Sequence, residues 1–344
     1  MPEAGTDRTH DSRGRRFRDA RVSTGKHVTR EDADLLWFEA IHRLGHQTSE
    51  ALYQLTRHVR RSHRAALYRM RDLRHEEDSD YGGPTLFYPL QQDRTPRPDR
   101  NLNVYGITKH AVEALKAAGR YRNHAPTTNH SEWKHDFMGA CVSSSIYLAT
   151  REHPERYEFL FEDEIVERLG GTKAFLVSYT YTRKDGERTT REATIRPDGL
   201  IGIRYLPSGD ERILIREEDC RTERNDSDKP SVKNHKHSIL QYSALLCNRE
   251  LRQRCFGNAR VVVLNTFSSE LKMRNVMSLL LKLSDGRGSN FLLFRAWPEF
   301  GDRFRPPSPE LTLFTGAWLR AGPHQPFCLN TLDGTARITG EALG

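Results

Sequence analysis

At 344 residues, with 36% hydrophobic and 29% charged residues, the chain suits two globular domains, and no apolar run approaches the roughly 20 residues of a membrane-spanning helix. A formal charge of +8 favours a polyanionic partner and gives no reason to expect a membrane. No apolar signal segment opens the chain, and Cys141, Cys220, Cys247, Cys255 and Cys328 lack C-x-x-C or zinc-like spacing, so a cytoplasmic protein with reduced thiols and no structural zinc is expected.

Residues 1–30 carry eight Lys or Arg against four Asp or Glu and almost no apolar side chains, which predicts a disordered basic arm. Order is expected from EDADLLWFEAIHRLG, where Leu35, Leu36, Phe38, Ile41 and Leu44 make a helical stripe ended by Gly45. A second helix follows in HQTSEALYQLT, capped by Thr48 or Ser49. The third, SHRAALYRMRDLRHEE, is capped by Ser62 and buries Ala66, Leu67, Met70 and Leu73. TLFYPL, the Pro-rich loop QQDRTPRPDRN and NVYGIT read as a two-stranded wing, and ITKHAVEALKAAGR as one more helix.

Three helices and a wing predict a winged helix-turn-helix over 31–122, with the third helix in the major groove of double-stranded DNA. Between Thr56 and His75 stand seven arginines and one acid, Asp72. Arg60, Arg61 and Arg64, near that helix's N-terminus, and the outward Arg71 are the candidate DNA contacts; the alternative is a solvated charged face.

The polar loop RYRNHAPTTNHSE marks a boundary, and a second domain is expected over 130–344. SEWKHDFMGACVSSSIYLATRE reads as a helix, EFLFEDEIVERLGG as irregular, and KAFLVSYTYT, GLIGIRYL and RILIRE as strands, the last two joined by PSGD. One helix over 232–254, the strand RVVVLNT, the helix SSELKMRNVMSLLLKL and the strand FLLFRAW complete a layered α/β domain with a mixed sheet. Trp297 and Trp318 read as core or edge residues.

Carboxylates gather around this hairpin. A divalent hard ion such as Mg²⁺ or Mn²⁺ needs oxygen ligands converging on one point, which one Asp at a strand start and acids at the end of its hairpin partner can supply. Asp198 and the pair Glu217 and Asp219 fit that spacing, and alternation along the strand turns Glu218 the other way. The pattern is that of a PD-(D/E)XK nuclease, with the PD present as Pro197-Asp198. Where that motif has Lys this chain has Asp219, so Lys236 is the first candidate for the missing cation and Lys233 the second. The alternative is an exposed hairpin end with salt bridges to Arg196, Arg212 or Arg216. His235-Lys236-His237 reads as the solvated start of a helix, His135 as a core histidine or a site residue, Tyr242 as core, and Thr222 and Glu223 as loop caps.

WKHDF (Trp133 to Phe137), RPDGL (Arg196 to Leu200) and EEDCRTE (Glu217 to Glu223), with the spacing of SILQY, RVVVLNT and NFLLF, resemble the replication-relaxation family of plasmid and mobile-element proteins, related to one class of mobilisation relaxases. The resemblance covers about residues 31–320 and departs at Cys220, Arg221 and Ser238, where Arg-Gly and Lys are expected. It implies a winged helix followed by a restriction-endonuclease-like domain. The function implied is sequence-specific DNA binding with metal-dependent nicking or relaxation, in the company of other replication or mobilisation proteins or as a homodimer. The alternative is a non-enzymatic DNA-binding regulator or replication accessory whose degenerate second domain dimerises or docks partners.

Overall fold

The computed structural model describes residues 21–89, 103–123, 133–183, 185–220, 234–301 and 304–335. The chain divides into two compact units, one from residues up to His42 with His46–Arg122, the other from Arg43–Gly45 with the residues from Asn123 onward. No helix among the described residues is long and apolar enough to cross a membrane.

The first unit runs α1 (Asp32–Leu44), β1 (Gln47–Thr48), α2 (Ser49–Thr56), α3 (His63–His75), β2 (Leu86–Phe87), β3 (Val104–Ile107) and α4 (Lys109–Ala117). The strands form a small antiparallel sheet in the order β1-β3-β2. Side-chain caps start the helices: Thr48 Oγ1 accepts from the Ala51 N–H at 3.1 Å and Ser62 Oγ from the Ala65 N–H at 3.2 Å. Phe38, Ile41, Leu52, Leu55, Ala66, Met70 and Leu73 fill the core. Of the predicted stripe on α1, Leu35, Phe38, Ile41 and Leu44 are buried; Leu36 is half-buried, and Trp37, outside the stripe, is fully inside. Its indole N–H donates to the Leu52 carbonyl at 2.7 Å and to Thr56 Oγ1 at 3.0 Å, so the polar edge of the ring is satisfied there.

The disordered arm expected over residues 1–30 does not include residues 21–30. Val28 is buried and bridges Ser79, Ser23 and Thr24 donate to the Glu76 carboxylate, and Lys26 pairs with Asp72. Residues 21–30 are thus held to the end of α3 by polar contacts that hydropathy does not register. Residues 1–20, the wing tip over 91–101 and most of the boundary loop lie outside the described residues.

The second unit runs α5 (Trp133–Arg151), β4 (Tyr157–Leu160), α6 (Glu162–Arg168), β5 (Phe175–Thr182), β6 (Arg188–Ile195), β7 (Gly199–Tyr205), β8 (Asp210–Asp219), α7 (His235–Cys247), α8 (Arg249–Phe256), β9 (Arg260–Phe267), α9 (Glu270–Leu283), β10 (Leu292–Ala296), α10 (Thr312–Thr315), β11 (Ala317–Trp318) and β12 (Phe327–Cys328). A five-stranded mixed sheet has the order β10-β9-β8-β7-β4. β4, β7 and β8 are antiparallel neighbours, while β9 runs parallel to β8 and β10 parallel to β9. The α/β class is as expected.

Alternation along β8 divides the sheet into two faces. Ile213 and Ile215 join the cluster formed with Leu200, with Ile239, Tyr242 and Leu245 of α7, and with Met273 and Val276 of α9. Arg216 and Glu218 point to the other face, against Gly139 of α5. Two readings are corrected here and one strand is added. The helix over 232–254 is two helices, because Asn248 turns out of α7 and its side chain accepts from the Leu251 N–H as the cap of α8. The irregular acidic stretch holds β4 and α6, and β6 escapes pattern reading because its residues are polar and pair only with β5.

Candidate functional site

Asp198 sits just before the first paired residue of β7, and Glu218 lies near the end of β8. Freed from the ladder, Asp198 turns toward α5: its Oδ2 accepts from the Glu218 backbone N–H at 2.9 Å and from His135 Nε2 at 3.1 Å. His135 stands in the first turn of α5, and its other nitrogen is 3.4 Å from Asp136 Oδ1. Burial would lower the pKa of this imidazole, but the bonds to Asp136 and Asp198 and the charges of Asp198 and Glu218 outweigh it and push it up to about 11. Among the described residues, His135, Asp198 and Glu218 form a group whose possible metal-ligand atoms all lie within 4.8 Å of one another.

This set differs from the predicted one in a specific way. Glu217 and Asp219 do share a face and Glu218 does point opposite, but it is Glu218 that meets Asp198. On the α7 face Glu217 accepts from the Tyr242 hydroxyl, whose pKa is raised first by burial and then by the Glu217 charge. Asp219 is bonded to His235 Nε2 at 2.9 Å and lies 3.8 Å from Lys272 Nζ of α9. Lys236 donates to the Thr182 carbonyl at 3.0 Å and lies over the Tyr181 ring. His235, Lys236 and His237 are all buried, not solvated: His237 meets the Tyr179 hydroxyl at 2.9 Å, a contact that pattern alone does not disclose. Arg221, Thr222, Glu223 and Lys233 lie outside the described residues.

Arg216 is the site residue that sequence reasoning offered only as a salt-bridge partner. Its Nη1 donates to Glu218 Oε1 at 3.0 Å. Its guanidinium runs between two glycines: a Cβ at Gly199 would stand 1.9 Å from Nη2, and one at Gly139 would stand 2.3 Å from Nη1. A side chain in place of the glycine of the RPDGL segment would therefore have to displace the Arg216 guanidinium. Gly199→Ala should expel the Arg216 guanidinium, break its pair with Glu218 and cost about 1–3 kcal/mol, read as a lower midpoint of the second unit in urea unfolding.

The arginines assigned to DNA divide in two. Arg60 points inward: its Nη2 donates to Glu31 Oε2 at 2.6 Å and to Asp34 Oδ1 at 2.8 Å, with the guanidinium over the Trp37 ring. Asp34 is itself fully buried and also accepts from Arg69 Nη2 at 2.5 Å and the Tyr81 hydroxyl at 2.8 Å. Arg60 is thus part of the interior of the first unit, because a buried carboxylate needs donors on every side. Arg61, Arg64 and Arg71 are exposed. On α3, Arg64 donates to the hydroxyl of exposed Tyr68 at 2.9 Å, and the Arg71 guanidinium lies 5.0 Å from the centre of the same ring. Tyr68 was not singled out by sequence, although its i, i+4, i+7 spacing with Arg64 and Arg71 is legible there.

A nitrogen ligand with two carboxylates suits Mn²⁺ better than Mg²⁺, which prefers oxygen and water. The three side chains have the donor types and spacing for such an ion, with Arg216 and the His135 proton as the charges it would compete with. Compared with known proteins, the chain matches no family model, and no curated protein and no solved structure matches it.

Proposed function

We propose that the first unit binds double-stranded DNA as a winged helix-turn-helix and that the second, a PD-(D/E)XK-like domain, nicks plasmid or mobile-element DNA with a divalent ion, Mn²⁺ in preference to Mg²⁺. The observation that carries the reading is the convergence of His135, Asp198 and Glu218 where β7 starts and β8 ends, the place that the PD-(D/E)XK pattern reserves for its acids. A bound ion would neutralise charge on the scissile phosphate and acidify the attacking water. Asp198 and Glu218 would hold it, His135 would orient Asp198 or ligate, and Arg216 would supply the fixed positive charge for which Lys236 was the sequence candidate. The element order of the first unit, with Arg64, Tyr68 and Arg71 on the open side of its third helix, supports the DNA-binding part.

A second reading, a DNA-binding regulator with a degenerate second unit, has its own support. Glu218 and Asp198 are already paired with Arg216 and His135, and the residues two positions after Glu217 and Glu218 are Asp219 and Cys220, not Lys. Incubation of a supercoiled plasmid carrying the element's origin with the protein and Mn²⁺ separates the two. Open-circular product above a metal-free control supports the nickase, and a gel shift without it supports the regulator.

For DNA binding, Arg64→Ala and Arg71→Ala should each weaken affinity and flatten the log K against log salt slope by about one unit. Arg60→Ala should leave that slope unchanged. Equal slopes for all three variants and the parent would remove α3 from the interface.

A further inference from the structure

We infer that the second unit carries a binding site for a nucleoside phosphate at the end of its sheet away from Asp198 and Glu218. The inference does not rest on the nuclease reading. A cavity of about 570 Å³ opens there, lined among others by Arg156, Tyr157, Tyr205, Arg260 and Asn330. That volume lies in the range of small-ligand sites. Arg212, at the start of β8, is six residues from Glu218 along the strand, about 20 Å at 3.3 Å per residue, so this is a separate place on the molecule.

Charge is what marks the cavity. Arg212 is 1% exposed, and its guanidinium donates to the Tyr205 hydroxyl and to the carbonyls of Thr331 at 3.0 Å and Leu332 at 2.6 Å, residues of the cavity wall. Arg260 donates to the same Leu332 carbonyl at 2.8 Å. Among the described residues, no carboxylate forms an ion pair with Arg156, Arg212 or Arg260. Burial, then the neighbouring Arg260 charge, lowers the pKa of Arg212 in spite of the opposing fields of Tyr205 and Asp333. Asp333, the one acid of the lining, is exposed and accepts from the Thr335 N–H at 3.0 Å and its hydroxyl at 2.7 Å. Arg212 thus stands behind the wall, while Arg156 and Arg260 are the guanidinium groups that line the cavity and can meet an anion there.

The lining also explains why the ligand is organic and not a bare anion. Tyr157, Tyr205 and Leu332 present apolar surface, and Asn330, which also lines the cavity, has its Oδ1 buried without a hydrogen-bond partner. Arg260 further lines an adjoining hollow of about 410 Å³ with Arg249 and Arg252, which extends the positive surface for a phosphate chain. An aromatic and aliphatic wall beside several guanidinium groups fits a base and sugar with phosphates.

The test is calorimetric titration and thermal unfolding of the full chain with ATP and, separately, with inorganic phosphate. ATP should bind and raise Tm, inorganic phosphate should do so far more weakly, and the Arg156→Ala/Arg260→Ala double variant, altered at two exposed positions, should bind ATP about tenfold or more less tightly. Asp198→Ala should bind ATP as the parent does. Absence of ATP binding, retention of full affinity in the double variant, or loss of binding in Asp198→Ala would overturn the site. Inorganic phosphate binding as tightly as ATP would overturn the nucleoside assignment.

Discussion

On the proposed nickase reading, Glu218→Gln and Asp198→Ala should each lower Mn²⁺-dependent nicking by about three orders of magnitude, while Glu217→Gln should leave most of it. The contrast between adjacent glutamates is the point. A metal ion contributes several kcal/mol of charge stabilisation to phosphodiester cleavage, and among the described residues the side chains whose ligand atoms converge are His135, Asp198 and Glu218. Glu217 faces α7 and accepts from Tyr242. Conversion of supercoiled plasmid, followed by gel with far-ultraviolet circular dichroism as a check on folding, reads the difference. If Glu217→Gln were the inactive variant and Glu218→Gln the active one, the ion would belong on the opposite face of β8 and the assignment here would be wrong.

Asp34→Ala should be the most damaging substitution in the first unit. It leaves Arg60 and Arg69, both inward, with the more exposed Glu31 as their remaining carboxylate partner in place of the buried Asp34. Breaking a buried ion pair from one side costs about 3–5 kcal/mol, which for a unit of this size lowers Tm by roughly 20 °C. Because the loss comes from stranded charge, replacing all three with apolar residues, as in Asp34→Leu/Arg60→Met/Arg69→Leu, should recover most of it. Scanning calorimetry decides: a loss below about 1 kcal/mol for Asp34→Ala would show that Asp34 behaves as a surface partner.

What the sequence discloses of this molecule follows from where its signals are local. Helix caps at Thr48 and Ser62, the strands around Ile201, Leu214 and Val263, and burial of Trp297 and Trp318 depend on adjacent residues or on the apolar character of a short stretch, and they are readable. Alternation in the acid run is readable too. The face that Asp198 joins is not, because a residue just before the ladder is not bound by the strand's alternation. Arg60 and Arg64 look alike in the sequence, and only the position of Asp34, 26 residues away, sends one inside. The triplet at 235–237 is polar by composition and buried by tertiary pairing with Asp219, Thr182 and Tyr179.

The strap at residues 23–28 has a kinetic corollary. Its bonds to Glu76, Asp72 and Asp78 join residues 46–53 apart in sequence and so enclose α1, α2 and α3 in one ring. Closing so long a segment is entropically unfavourable until the helices have docked, so the ring shuts last during folding. By the same token it should be the seam along which the native first unit opens first, and amide exchange at Val28 and Asp80, whose N–H groups donate across that seam to the Asp78 and Val28 carbonyls, should outpace exchange in the middle of α3.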